Sequence, residues 1–317
     1  MEWLPLLLSV VGLAFFEIIL SVDNAVINAS VLKTMSNWAR RWFLVWGIFL
    51  AVFVVRGLLP WAIVFFSNPS LGVMGALTAT FSSDPAVIGQ IESSKPMLLS
   101  FAGIFLVFLF FHWLFMEPKH FGLRGEAFIQ RHGLWFYTIV SFILLFYTWF
   151  AIQINPMMAL GAVAGSTTFF ITHGFKQNAE AKEKELMEGG AHLSDWSKLL
   201  YLEVIDASFS IDGVLGAFAF TFSIPLIIVG SGLGAIAVRE LTIHNIDRVA
   251  KYKYLKNGAM YSVFVLGLIM LANAFGAHIA EWLTAFVPFV CIGYFYWKSK
   301  KELDGETRAT PKQEPQA

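Results

Sequence analysis

Nine long apolar stretches restrict this chain to a helical membrane protein. Hydrophobic residues make up 57% of its 317 residues and charged residues 14%, a composition typical of chains that cross a bilayer repeatedly. Most stretches reach the roughly 20 residues that a helix needs to cross the hydrocarbon core. They cover residues 4–30, 42–66, 97–116, 134–153, 156–174, 199–222, 224–240, 257–276 and 282–297. The sequence therefore predicts an all-α, polytopic transmembrane bundle of about nine spans.

Positive charges are sorted between alternate loops, as the positive-inside rule requires. Of the 22 Lys and Arg residues, 19 lie in alternate loops or the C-terminal tail, whereas the opposite loops hold only Lys95. The other two, Arg56 and Arg239, lie within apolar stretches. This distribution predicts an N-terminus outside the cell and a cytoplasmic C-terminus, with residues 67–96 as the longest external loop.

A short acidic phrase occurs twice inside the apolar sequence. The copies read EIILSVDN over residues 17–24 and DASFSIDG over residues 206–213. Both run acid, three residues, Ser, a β-branched residue, Asp, and then Asn or Gly. Carboxylates inside a bilayer are costly and usually line a water-filled site or an ion path. Two matching copies therefore indicate a two-fold site.

The predicted topology makes these copies antiparallel, because the first span runs inwards and the sixth runs outwards. Inverted repeats of this kind place transporter sites near the midplane, often at broken helices. The prediction divides the chain into two transmembrane halves, at residues 1–174 and 199–298. A cytoplasmic connector at residues 175–198 joins them, and a disordered cytoplasmic tail follows at residues 299–317.

Helix periodicity divides the motif side chains between two directions. Residues three or four apart share a helix face. The residues grouped by this rule are Glu17, Ser21 and Asn24 in the first copy, and Glu203, Asp206 and Ser210 in the second. Asp23 and Asp212 lie about 120° away on a regular helix. We therefore expect the helices to unwind at Asn24 and Gly213, residues that tolerate left-handed backbone conformations.

The oxygen-rich composition of the motifs favours a hard cation. Carboxylate, amide, hydroxyl and carbonyl oxygens suit Mn²⁺, Mg²⁺ or Ca²⁺ better than Cu(I). A structural alternative pairs the carboxylates with Arg56 or Arg239 to hold the helices together. For the two arginines, the structural and counter-ion roles are equally open. Five of the six carboxylates within apolar stretches lie on the two repeat helices, the sixth being Glu240, and this concentration favours a functional site.

The paired motifs resemble those of the TerC family of integral membrane proteins, named for tellurium resistance. Residues 17–24 match the first family signature, and residues 203–212 match the second. The chain is most similar to the branch long labelled a domain of unknown function. The family pattern usually continues with Ser-Ile-Pro-Ala, whereas this chain continues with Gly213-Val-Leu-Gly216. The resemblance spans residues 1–300. It implies a relation to the LysE-type transporter superfamily and, in several branches, export of metal ions, above all manganese.

Motifs and resemblance together predict a bacterial inner (plasma) membrane exporter of divalent cations that prefers Mn²⁺. The predicted metal ligands are Asp23 and Asp212 at the centre, with Glu17, Asn24, Glu203 and Asp206 beside them. The residues expected to surround these ligands without binding the metal directly are Ser21, Ser210, Arg56 and Arg239. The chain has no nucleotide-binding loop, so proton exchange is the expected driving force, and neither enzyme activity nor a resident cofactor is expected. The expected partners are the lipid bilayer, the cation and the proton. No nucleic-acid patch is present, and a homo-oligomer is left open.

Two other functions remain open from the sequence. The protein could export amino acids or other small solutes, as LysE-type transporters do, or it could be a non-transporting membrane scaffold in metal or tellurite stress resistance. An intramembrane aspartyl hydrolase also uses two aspartates from different helices. Its usual Gly-x-Gly-Asp phrase is absent, and the context here is Phe-Ser-Ile-Asp212.

Overall fold

The computed structural model describes residues 3–21, 31–32, 34–47, 49–50, 54, 56–67, 69–78, 85–118, 122–123, 125–188, 194–244 and 251–309. These ranges are mostly helical and contain no β-strand. Their α-helices are α1 (Trp3–Leu20), α2 (Asn37–Trp42), α3 (Arg56–Ser67), α4 (Gly72–Thr78), α5 (Pro85–Met116), α6 (Glu126–Gln130), α7 (Trp135–Ile154), α8 (Pro156–Glu188), α9 (Asp195–Ala217), α10 (Ile224–His244), α11 (Leu255–Ala274) and α12 (Glu281–Ala309). A π-helix covers Phe43–Gly47, and a 3-10 turn covers Pro69–Leu71.

Every predicted apolar stretch overlaps a helix in the described ranges, which confirms the all-helical class. By length and hydropathy, three helical segments there can cross a membrane: Glu92–Met116, Trp135–Ile154 and Leu255–Ala274. Leu6–Leu20 and Ile224–Val238 are apolar but shorter. The count of nine spans and the inverted repeat therefore stay predictions.

Helix α5 forms the centre of the bundle. In its most apolar window 83% of the residues are buried, against 22% in α7. α5 packs mainly against α8 and α11, while α1 packs against α10 and α12. α7 lies at the edge and exposes Phe142, Phe146 and Trp149, as expected of a helix that faces lipid.

Glycines allow the central helices to approach each other closely. A Cβ atom added at Gly161 or Gly165 of α8 would collide with the backbone carbonyls of Met97 and Phe101 on α5. Where α5 crosses α11, a Cβ at Gly103 would lie 3.1 Å from the carbonyl oxygen of Gly267. Small residues at such crossings let helix backbones meet, which favours association of helices in a membrane.

We expect Gly165→Ala to lower the free energy of unfolding by about 1–2 kcal/mol, because over-packing at a backbone contact cannot be relieved by a side-chain rotation. Gly174→Ala on the same helix is the control, since a Cβ there meets nothing within 4 Å. That control should be neutral or stabilising by up to about 1 kcal/mol, given the helix propensities of the two residues. Thermal unfolding in detergent measures both, and equal effects of the two variants would contradict the packing account.

The predicted external loop at residues 67–96 is wrong in part. Residues 69–78 are helical, and α5 begins at Pro85, well before the apolar stretch at residue 97. Hydropathy does not detect the first turns of α5, because they contain polar residues. Glu92 and Lys95 form an exposed ion pair of 3.3 Å along the helix. Pairs three residues apart on one face support a helix without contributing hydropathy.

The predicted disordered tail is also wrong for residues 299–309, which continue α12. The backbone N–H of Tyr254 donates to Ser299 Oγ at 3.0 Å, and its hydroxyl donates to Glu302 Oε1 at 2.6 Å. Lys253 Nζ lies 2.9 Å from Glu302 Oε2. The bond from Tyr254 holds the pKa of Glu302 below its ordinary value. These contacts hold the last turns of α12 against the start of α11. Residues 310–317 of the predicted tail lie outside the described ranges.

Candidate functional site

Glu17 lies near the C-terminal end of α1, and the residue is only 2% exposed. Its Oε1 accepts hydrogen bonds from Ser21 Oγ at 2.7 Å and from Arg56 Nη2. The first bond confirms that Glu17 and Ser21 share a face. The second is a buried ion pair that joins α1 to the first residue of α3.

Two glycines make room for the Glu17 side chain. A Cβ at Gly213 of α9 would lie 2.8 Å from Glu17 Oε2. A Cβ at Gly234 of α10 would lie 2.5 Å from the Cβ of Glu17 and 2.7 Å from the carbonyl oxygen of Ala14. The acidic side chain is therefore enclosed between α9 and α10.

The expected break at Gly213 is wrong, because α9 continues as an α-helix to Ala217. Gly213 is required for the close approach of Glu17 rather than for a change of backbone direction. On this regular helix, Asp206 and Gly213 point in nearly the same direction, while Asp212 lies about 120° from Asp206. Asp212 is half-buried, and its role as a ligand stays a prediction.

The earlier acids of α9 face the same region as Glu17. Asp206 is half-buried, is attracted by Arg56 and is repelled by Glu17. Glu203 lies one turn earlier and interacts with Asp206. A Cβ at Gly47, the last residue of the π-helix, would lie 2.5 Å from Glu203 Oε1. π-Helical turns are rare and frequently occur at functional sites.

Ser210 does not extend this cluster. The residue is 1% exposed, and its hydroxyl donates to the backbone carbonyl of Asp206 at 2.8 Å. Ser21, by contrast, donates to a carboxylate. The two serines of the repeated phrase therefore have different roles in this structure.

The acid cluster, defined as Glu17, Glu203, Asp206 and Arg56, is incompletely hydrogen-bonded. Buried atoms without a hydrogen-bond partner in the described part of the chain include Glu17 Oε2, Glu203 Oε1, and Arg56 Nε and Nη1. Buried polar atoms are normally paired, since an unpaired one costs about 1–3 kcal/mol. The cluster also holds three carboxylates against one guanidinium. Both observations distinguish this cluster from a fully paired structural ion pair.

Glu126 of α6 is a second buried carboxylate, and its hydrogen bonds can be compared with those of Glu17. It is 3% exposed, and its two oxygens accept from Asn257 Nδ2 at 2.8 Å and from Tyr261 Oη at 2.9 Å. Burial alone therefore does not distinguish it from Glu17. The difference is that Glu126 has both oxygens partnered, whereas Glu17 leaves Oε2 open.

Several predicted residues lie outside this description. Asp23 and Asn24 fall outside the described residues, so their distance from Asp212 is untested. Arg239 lies on α10, but its side chain is not described. Within the described ranges no group of three or more His, Cys, Asp or Glu side chains is arranged to hold a metal ion. The described acids alone thus do not complete a metal site.

Sequence reasoning missed the roles of Gly47 and Gly234. It raised a pairing of the motif carboxylates with Arg56 or Arg239 as the structural alternative, and the structure shows the pair between Arg56 and Glu17. A glycine on an apolar helix has many uses, and neither position carries a distinguishing pattern. The Arg56–Glu17 pair joins residues 39 positions apart. Such a contact is fixed by helix packing, which periodicity does not reveal.

Comparison with known proteins gives a family and a membrane relative. The chain is 24% identical over 122 residues to the "Uncharacterized membrane protein YceF" of Bacillus subtilis (strain 168), a match that covers 38% of this chain. The chain spans about half the length of that relative, 48% of it. No solved structure matches. This relative and the apolar helices together indicate a membrane protein. The family model described as "Protein of unknown function (DUF475)" matches residues 22–303, and the chain belongs to that family.

Proposed function

We propose that this protein is an integral membrane transporter that exports divalent cations, with a preference for Mn²⁺, in exchange for protons. The observation that carries the proposal is the incompletely paired acid cluster. Glu17 Oε2 and Glu203 Oε1 are buried and have no hydrogen-bond partner in the described residues. A divalent cation would satisfy these oxygens and offset the excess negative charge, which is costly away from water.

The available ligands define the class of cation. Glu17, Glu203 and Asp206 offer carboxylate oxygens, which are hard ligands suited to Mn²⁺, Mg²⁺ or Ca²⁺. Asp23, Asn24 and Asp212 would complete the proposed ligand set. The resemblance of the repeated motifs to the TerC family supports Mn²⁺ among these ions.

Proton exchange follows from the same carboxylates. A carboxylate that releases a cation can take up a proton, so one group can serve both ions in turn. Export against a gradient then needs no nucleotide-binding module. We place the protein in a bacterial inner membrane, where a proton gradient is available.

We expect Asp23→Asn and Asp212→Asn each to abolish Mn²⁺ export while folding stays near wild type. Asparagine keeps the size and one oxygen, but a single remaining central carboxylate leaves uncompensated charge on a divalent ion. Ser21→Ala should reduce export less, and Ser210→Ala least, because Ser210 donates to backbone. The assays are manganese sensitivity in cells without their own exporter and flux in sealed proteoliposomes. Full export by both Asp→Asn variants would remove these aspartates from the mechanism.

The proposed topology makes a separate prediction. We expect a reporter fused after residue 317 to report the cytoplasm and a reporter inserted at Lys95 to report the exterior. The reason is the charge sorting between alternate loops. Activity of both reporters on the same side of the membrane would exclude the nine-span topology and the inverted repeat.

The Glu17–Arg56 pair also suits a second reading, a membrane scaffold in metal or tellurite stress resistance. A buried ion pair can fix helices without transporting anything. Purified wild-type protein that carries neither Mn²⁺ nor any other divalent cation in proteoliposomes would favour this scaffold. Flux of amino acids in the same vesicles would instead favour a LysE-type solute exporter.

A further inference from the structure

We propose that the exposed surface where α2 meets the start of α9 binds the headgroup of an anionic phospholipid. We define the Trp–Arg patch as the five residues that form this surface, three indoles and two guanidinium groups: Trp38, Trp42, Trp196, Arg40 and Arg41. The patch shares no residue with the acid cluster, and the inference does not depend on the proposed export.

Helix α2 has one face buried in the protein and another face left outside. Ala39 and Phe43 belong to a buried apolar cluster that includes Leu199 of α9. Trp38 and Arg41, which are three residues apart on the same helix, share another face and are both exposed. Tryptophan and arginine on the outer face of such a helix are typical of segments that lie at a membrane interface.

Polar contacts fix α2 against the first turn of α9. The backbone N–H of Ser36 donates to Asp195 Oδ1 at 3.4 Å, and Lys198 Nζ donates to the carbonyl oxygen of Thr34 at 2.9 Å. These partners lie 159 and 164 positions apart in the chain. The fold therefore builds the surface from two distant segments and holds them together from both sides.

The same contacts bring three indole rings into one group. The ring centroid of Trp196 lies 5.2 Å from that of Trp38 and 6.1 Å from that of Trp42. Trp38 is nevertheless 51% exposed and Trp196 is 56% exposed. Grouped, exposed apolar rings mark an interaction surface, and indoles favour the headgroup level of a bilayer because they combine an apolar body with a polar N–H.

Both segments enter apolar sequence at this patch. The predicted spans begin at residues 42 and 199, so Trp42 is the first residue of one span. Trp196 precedes the other span by three residues, about 4.5 Å along a helix. The patch therefore lies at the boundary between hydrocarbon and headgroups, on the predicted cytoplasmic face. This position favours a lipid over a soluble partner.

The charges of the surface select an anionic headgroup. Arg41 is exposed, and Arg40 is held in place because its Nε donates to the carbonyl oxygen of Leu32 at 3.1 Å. Lys198 adds a third positive charge, against the single carboxylate of Asp195 within these contacts. Guanidinium groups match phosphate oxygens in charge and in geometry. A zwitterionic lipid carries its own cation and gains less from such a surface.

Native mass spectrometry of the detergent-purified full-length protein, titrated with phosphatidylglycerol or phosphatidylcholine, tests the proposal. We expect wild type to bind phosphatidylglycerol at least about fivefold more tightly, the effect of one basic residue at an anionic surface. Arg41→Gln should reduce this preference, and Arg40→Gln with Arg41→Gln should abolish it. Trp196→Ala should weaken binding of both lipids. The double control Lys95→Gln with Arg131→Gln removes two positive charges elsewhere on the surface and should keep the wild-type preference.

Equal affinity of wild type for the two lipids would overturn the proposal. A preference that survives Arg41→Gln undiminished would do the same, and this variant changes an exposed side chain, so it serves where the double variant does not fold. Displacement of phosphatidylglycerol by excess inorganic phosphate would show a site for free anions instead. A wild-type dimer that Trp196→Ala dissociates would assign the patch to contact between two copies of the chain.

Discussion

Replacing Glu17 with Gln is expected to lower the free energy of unfolding by about 3 kcal/mol, the lower end of the cost of breaking a buried ion pair from one side. Arg56 would stay buried with its ion pair to Glu17 broken, while the attraction of Asp206 remains. Export of Mn²⁺ should fall to background in the same variant, because the open oxygen Oε2 belongs to this carboxylate. Thermal unfolding in detergent and flux in proteoliposomes measure the two effects.

Two further variants separate the effect on folding from the effect on export. The double variant Glu17→Gln with Arg56→Gln removes both members of the ion pair but leaves Asp206 without the attraction of Arg56, so it should regain only part of the lost stability and still fail to export. Glu126→Gln is the matched single control, because Glu126 is equally buried but receives bonds from the neutral donors Asn257 and Tyr261. It should keep export. A double variant that is no more stable than Glu17→Gln would refute the account based on the ion pair.

Replacing Gly234 with Leu is expected to separate α1 from α10 and to cost about 3 kcal/mol, the upper end of ordinary over-packing penalties. The new side chain would meet the Cβ of Glu17 and the carbonyl oxygen of Ala14, neither of which can rotate away. The measurement is the loss of thermal stability and of folded yield in detergent.

The matched comparison for Gly234 is Gly213→Ala, which should affect export more than folding. The closest atom to a new Cβ there is Oε2 of Glu17, the far end of a flexible side chain. The carboxylate can move by a few tenths of an ångström, at the expense of its position in the cluster. We therefore expect near-native stability with reduced Mn²⁺ flux. A folded Gly213→Ala protein with full flux would show that the exact position of this carboxylate is unimportant.

Hydropathy predicted the helices well because burial in lipid and burial in a helical core demand the same residues. Each of the nine apolar stretches overlaps a helix in the described ranges. It failed where polar residues form part of a helix. The start of α5 contains Glu92 and Lys95, and the end of α12 contains Glu302, whose contacts with Lys253 and Tyr254 come from a distant part of the chain.

The acid cluster was predictable only in part. Helix periodicity correctly placed Ser21 beside Glu17, since the two are four residues apart. The same reasoning treated Gly213 as a helix break. In the structure the helix continues, and the lack of a Cβ atom at Gly213 leaves room for the Glu17 side chain. The difference depends on which helix lies opposite, and a single sequence does not contain that information.

The glycine contacts between α5 and α8 have a consequence for any transport cycle. With Gly161 and Gly165 against the carbonyls of Met97 and Phe101, sliding α8 by one residue would bring Ala162 and Ser166 onto those oxygens. These contacts therefore oppose a change of register between the two helices. If the proposed export takes place, the rearrangement that opens the acid cluster to each side would involve the helices that carry the acids, with α5 and α8 as the stationary reference.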